Sequence, residues 1–118
     1  MAELEADCRE PQKAQLRKLK EILSRNADSA FAKEHGLNAD SSLEEFRKAV
    51  PVSDYEAHRP YIERIWNGEE KVLSSEKPFM FATTSGTMCK SKYIPVTESY
   101  IKEFRHASIA SGFFTLQN

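Results

Sequence analysis

The sequence is short of cysteine. It has two, Cys8 and Cys89, without the paired spacing that a zinc site or a disulfide framework needs. The expected state is two reduced thiols in a cytoplasmic protein. Long apolar runs are missing too. None approaches the roughly 20 residues needed to cross a bilayer. The opening "MAELEADCRE" is acidic and has no apolar centre, which argues against a secretory leader. An excess of charge of either sign is also absent, the formal net charge being −1. No block of like charges marks a nucleic-acid or membrane surface, so neither partner is expected. Internal repeats and low-complexity tracts are not seen, which sets aside solenoids and disordered linkers.

What is present suits a soluble globular chain. Hydrophobic residues make up 40% and charged residues 30% of 118 positions, enough for one small domain with a modest core.

The first half reads as helical. Leu16, Leu19, Leu23, Ala27 and Phe31 recur at three- and four-residue spacing, which predicts one helix from Pro11 to about Lys33. His35 suits the negative end of that helix, and Gly36 can take the left-handed turn that stops it. "DSSLEEFRKAV" predicts a second helix. Ser41 and Glu44 have capping-box spacing, Leu43, Phe46 and Val50 face inward, and Pro51 ends it. Ser53 and Glu56 repeat the capping spacing. Pro60 favours a first-turn position, so a short turn and then a new helix from Pro60 to Trp66 are expected, stopped near Asn67-Gly68. Tyr61, Ile62, Ile65 and Trp66 read as core.

After the connecting stretch "KVLSSEKP" the period changes. "FMFATT" and "KYIPV" are strand-like, and Pro95 marks an edge or a strand end. Thr97 can cap a last helix from Glu98 to about Gly112, with Ile101, Phe104, Arg105, Ser108 and Ile109 sharing a side, the apolar members at helical spacing. Two strands alone are marginal in water and expose both edges. The expectation is therefore an α/β chain: residues 1–118 as the mainly helical N-terminal piece of a larger, here incomplete, domain.

Between the strands lies "TTSGTMCKSK". Gly86 lets the backbone turn sharply, Thr84, Ser85 and Thr87 bring hydroxyls, and Lys90 and Lys92 bring charge. Those groups suit the phosphates of a nucleotide. The common phosphate loop needs a second glycine and an immediate helix, and neither follows here. Composition leaves two readings open, a phosphate loop and a polar hairpin turn.

The stretch resembles the loop T-S-G-T-T-G-x-P-K of the acyl-adenylate-forming enzymes. Thr84, Ser85, Gly86, Thr87 and Lys92 match, while Met88, Cys89 and Ser91 depart. "NADSAFAKEHGL", "FRKAVPVSDYEAHRPYIERIWNGE" and "FATTSGT…KYIPVT" follow one another as in the auxin-responsive acyl-acid amido synthetase family. This resemblance runs from about Leu16 onward.

It implies an ATP-dependent ligase that joins a carboxylic acid to AMP, then passes the acyl group to an amine, usually that of an amino acid. By similarity Ser85, Gly86 and Thr87 cradle the β- and γ-phosphates with Thr84 beside them. Lys92 adds positive charge, and Mg²⁺ accompanies the ATP. Family members are several times longer, so the 118-residue chain alone is expected to be inactive. An alternative is a non-catalytic helical interaction module derived from such an enzyme. A nucleophilic Cys89 is disfavoured, because nothing in the sequence brings His58 or His106 beside it.

Overall fold

A computed structural model describes the backbone of residues 2–84 and 91–117 and the side chains of residues 3–84 and 91–112. The chain divides into two units, Ala2–Lys77 and Pro78–Asn118. The first is all helix and connecting loop. The second holds two strands and a helix.

The acidic N-terminus, not read as helical above, forms α1 (Ala2–Arg9). Glu3 and Glu5 sit in its first turn and Arg9 in its last, the arrangement that complements a helix dipole. Pro11 then opens α2 (Pro11–Asn26), where its missing N–H costs nothing. Arg17 of α2 donates to both carboxylate oxygens of Asp7 at 2.8 and 2.7 Å, tying the two helices together.

The expected single helix to Lys33 breaks after Asn26. A separate five-residue helix, α3 (Ala30–Glu34), follows. Side chains that compete with the helical backbone cause the break. Ser29 leaves the helix and accepts the N–H of Ala32 at 3.1 Å as a new N-cap. The remaining N-terminal donors of α3 are satisfied from far along the chain. Ala30 N–H reaches the Lys71 carbonyl at 2.7 Å, and Phe31 N–H reaches that of Val72 at 2.9 Å. At the other end Gly36 has φ 65°. Its N–H bonds Lys33 O, and Leu37 N–H bonds Ala32 O, the paired closure of a Schellman stop. The expected stop at His35-Gly36 holds. His35 Nδ1 adds a hydrogen bond to Phe31 O at 2.8 Å.

The second helix, α4 (Leu43–Ala49), carries a full capping box one residue later than expected, between Ser42 and Glu45. Ser41 is engaged elsewhere, accepting the N–H of Asn38 at 3.0 Å. In the next helix, α5 (Tyr55–Trp66), the cap is Asp54 and not Ser53, and the helix runs straight through Pro60. Pro60 forfeits one backbone hydrogen bond, but local ties hold the turn around it. Arg59 grips Glu56 with two 2.7 Å bonds and lies 4.9 Å over the Tyr55 ring. The stop at Gly68, φ 93°, is again a Schellman closure, with Gly68 N–H on Ile65 O and Glu69 N–H on Arg64 O.

Leu23, Ala32 and Leu37 form the core, with Leu19, Phe46, Ala49 and Val50 packed against them. Ile62 is buried as expected, whereas Trp66 lies on the surface at 61% exposure. The stretch read as a plain connection is a strap on this unit. Among the described residues Val72 is the largest fully buried side chain, and Lys71 takes a left-handed φ of 54° to present its carbonyl to α3. Ser75 N–H bonds Asn26 Oδ1 at 3.0 Å. Lys71 and Ser75 both donate to Asp28, the lysine at 2.5 Å.

In the second unit β1 (Met80–Thr83) pairs antiparallel with β2 (Tyr93–Val96), Met80 opposite Val96 and Thr83 opposite Tyr93. Among the described residues these two strands are the whole sheet, so both are edges. Pro95 sits opposite Phe81 within β2. Thr97 then caps α6 (Glu98–Gln117), its hydroxyl accepting the N–H of Tyr100 at 3.3 Å. That helix runs past the expected end near Gly112. The architecture is thus the mostly helical α/β arrangement expected, with one strand–loop–strand unit and a closing helix.

Candidate functional site

The loop between β1 and β2 is delimited from both sides by backbone. The ladder continues one step beyond Thr83 and Tyr93, where Thr84 N–H donates to the Lys92 carbonyl at 3.2 Å. Thr84 and Lys92 are therefore cross-strand neighbours, with Cα atoms roughly 5.5 Å apart by antiparallel geometry. The same bond sets the parity of the ladder. Residues 84–92, 82–94 and 80–96 take the hydrogen-bonded positions, and Phe81–Pro95 a non-bonded one, where the missing proline N–H points out of the sheet. The proline costs the ladder nothing.

The structure thus brings together Thr84 and Lys92, both exposed, at the mouth of the loop. As a cross-strand pair their side chains emerge on the same face of the ladder. Ser91 is exposed beside them. Ser85, Gly86 and Thr87, the other three expected site residues, lie outside the described residues, as do Met88, Cys89 and Lys90. Among the described residues no group of three or more His, Cys, Asp or Glu side chains could hold a metal ion. A lysine and hydroxyls suit an anion that brings its own cation. Mg²⁺ is commonly held this way, by substrate phosphates and water rather than by a protein cage.

The other chemistry-bearing side chains cluster between α3 and α5. Arg64 links two carboxylates. It donates to Glu34 at 2.9 Å and to Glu69 at 2.9 and 2.7 Å, while the Tyr61 hydroxyl donates to Glu34 at 2.8 Å. Hydrogen bonds from Arg64 and Tyr61 hold the Glu34 carboxyl below its usual range, and Arg64 does the same for Glu69. Desolvation, with Glu34 beside it, pushes the Tyr61 phenol up. Phe31 stacks on His35 at 4.1 Å and on His58 at 6.2 Å, and meets the edge of Tyr61 at 5.3 Å. His58 Nδ1 bonds Asp54 O at 3.0 Å. These groups are paired with one another, fasten α3 to α5, and present no converging set for chemistry.

Helices leading into an antiparallel strand pair, followed by a closing helix, are consistent with part of an adenylate-forming domain. Comparison with known proteins agrees. The GH3 family N-terminal domain matches residues 1–117, and the chain belongs to this family of acyl-acid amido synthetases. An Arabidopsis thaliana protein, indole-3-acetic acid-amido synthetase GH3.6, is 47% identical over 74 residues, which is 62% of this chain and 12% of the relative. The Arabidopsis synthetase GH3.4 is 36% identical over 100 residues, 83% of this chain and 17% of that protein. A putative indole-3-acetic acid-amido synthetase of Oryza sativa, GH3.10, is 41% identical over 85 residues, covering 70% and 18%. The chain spans less than a fifth of the length of these curated relatives.

Proposed function

We propose that this chain contributes the ATP phosphate-binding loop of an acyl-acid amido synthetase. Residues 1–118 are its N-terminal part. The complete ligase activates a carboxylic acid with ATP and transfers the acyl group to the amine of an amino acid. The observation that carries the reading is the pairing of Thr84 with Lys92 at the end of the strand ladder, in a member of this family.

A carboxylate is a poor electrophile, and adenylation gives it a good leaving group. The reaction needs the triphosphate held in line and its developing charge offset. Thr84 and Lys92 supply a hydroxyl and a cation from opposite strands. Ser85, Gly86 and Thr87 complete the cradle around the β- and γ-phosphates, with Gly86 allowing close backbone approach. Mg²⁺ accompanying the ATP would supply further positive charge against the phosphates. The free thiol of Cys8 accords with a reducing cytoplasmic setting. Neither nucleic acid nor a membrane takes part.

The test is acid-dependent ATP–pyrophosphate exchange by a ligase carrying this segment. Lys92→Ala and Ser85→Ala each lower kcat/KM for ATP by about 10- to 100-fold, the usual cost of losing a charge-stabilising donor. Cys89→Ser leaves it within twofold. Unchanged exchange in both Lys92→Ala and Ser85→Ala refutes the assignment. The 118-residue chain alone is expected to show no exchange.

A further inference from the structure

We propose that the apolar side of α6 and one face of the β1–β2 pair are a docking surface for the rest of a GH3-type polypeptide, which they capture when it is supplied as a separate chain. The inference rests on family membership and not on nucleotide binding by the loop.

Three observations carry it. First, Met80, Ala82, Ile94 and Val96 share one face of the strand pair by register; Val96 is already buried and Ala82 half-buried, but Met80 and Ile94, diagonal neighbours on it, are both exposed. Second, Tyr100 and Phe104 stack one turn apart on α6, ring centroids 6.2 Å apart, yet stand 51% and 58% exposed. Third, residues 107–112, "ASIASG", contain no charged side chain, and Ile109 among them stands 70% exposed. A helix that faces water over its length carries charge on its outer side, whereas one with so little belongs inside a larger assembly. A strand pair with two edges likewise needs a third strand or a cover for stability. The length of the family fixes the occupant. In the Arabidopsis GH3.6 relative, nearly nine-tenths of the polypeptide lies outside the match to this chain.

The probe is that relative with its matching segment deleted, mixed with the 118-residue chain and followed by calorimetry and by light scattering on a sizing column. A one-to-one complex is expected. Phe104→Glu and Ile94→Lys each weaken it at least tenfold. Lys102→Glu, on the opposite side of α6, changes it less than twofold. Circular dichroism of the free variants checks that their helices persist. Absence of a complex with a folded probe overturns the proposal, as does equal affinity of the Phe104→Glu and Ile94→Lys variants. A homodimer broken by the same two substitutions assigns the surface to a second copy and also overturns it.

Where the deleted relative does not stay soluble, this chain is fused in place of the missing segment. Phe104→Glu must then lower the melting temperature of the fusion by several degrees while leaving that of the free chain unchanged. Equal melting of the two fusions refutes docking. A complex that forms but shows no pyrophosphate exchange counts against the ligase reading alone.

Discussion

Replacing Ser29 with alanine tests the argument for α3 most directly. The serine hydroxyl is the acceptor for Ala32 N–H at 3.1 Å, and both residues are nearly sealed from water, at 1% and 6% exposure. Removing the hydroxyl strands a buried donor that solvent cannot reach. Losing an N-cap costs ~0.5–2 kcal/mol in general, and an unsatisfied buried donor ~1–3 kcal/mol. The overlap of these ranges puts Ser29→Ala near ~2 kcal/mol. Ser42 provides the internal comparison. It caps Glu45 N–H at 3.2 Å on the surface, where water can replace it, so Ser42→Ala should cost ~0.5–1 kcal/mol. The assay is urea unfolding of the 118-residue chain followed by helical circular dichroism, since Trp66 is too exposed to report on the core. With a urea slope of ~1.2 kcal/mol per molar, Ser29→Ala lowers the midpoint by ~1.7 M and Ser42→Ala by about a quarter to a half of that. Equal shifts, or a larger one for Ser42→Ala, would refute the claim that burial sets the value of the cap.

Gly36→Ala should cost ~1 kcal/mol in the same assay. An added Cβ meets nothing within 4 Å, so the whole effect comes from the left-handed φ of 65°; a stabilising outcome would contradict this. Val72→Ala should cost ~2 kcal/mol by emptying a fully buried site, and a loss below ~0.5 kcal/mol would show that the strap does not anchor the unit. The Asp28 carboxyl, hydrogen-bonded by Lys71 and Ser75, is held down to about 2 against an ordinary 3.8. A depressed acid stabilises the fold above its unfolded value and loses that contribution as pH falls through its folded one. Asp28→Asn should therefore flatten the fall in urea midpoint between pH 4 and pH 2, and identical slopes for the two proteins would remove the strap's electrostatic role.

Much of this fold was legible where local chemistry had one solution. Gly36 and Gly68 stop their helices because each follows an apolar-periodic run and, without a Cβ, takes positive φ at little cost. The strand–loop–strand unit stood out because strand-formers flank a stretch rich in hydroxyls. Where local chemistry offered two solutions, the sequence could not choose. In "SSLEE" both Ser41–Glu44 and Ser42–Glu45 have capping spacing, and only the demand of Asn38 N–H on Ser41 breaks the tie. Ser53 and Asp54 compete in the same way. Pro60 misled because the ties from Arg59 to Glu56 and Tyr55 act against its helix-breaking tendency. The strap was illegible for a different reason. Its value lies in carbonyls of Lys71 and Val72 that serve a helix distant in sequence, and backbone carbonyls leave no mark on composition. Of the site, pairing of Thr84 with Lys92 follows from the strands, while the proposal that the pair meets phosphates rests on composition and resemblance.

That strap also sets an order of events at the ribosome. A five-residue helix has no stability of its own, because nucleation costs more than so few bonds return. α3 has its first two N–H groups bonded by residues that follow α4 and α5 in the chain. Until Val72 has left the exit tunnel, α2, α4 and α5 can coil transiently, but Ala32 and Leu37 have no completed α3 to hold them against Leu23. Synthesis must therefore pass most of the first unit before its core closes, and a nascent chain halted before Lys71 is expected to remain open to proteases however long it waits.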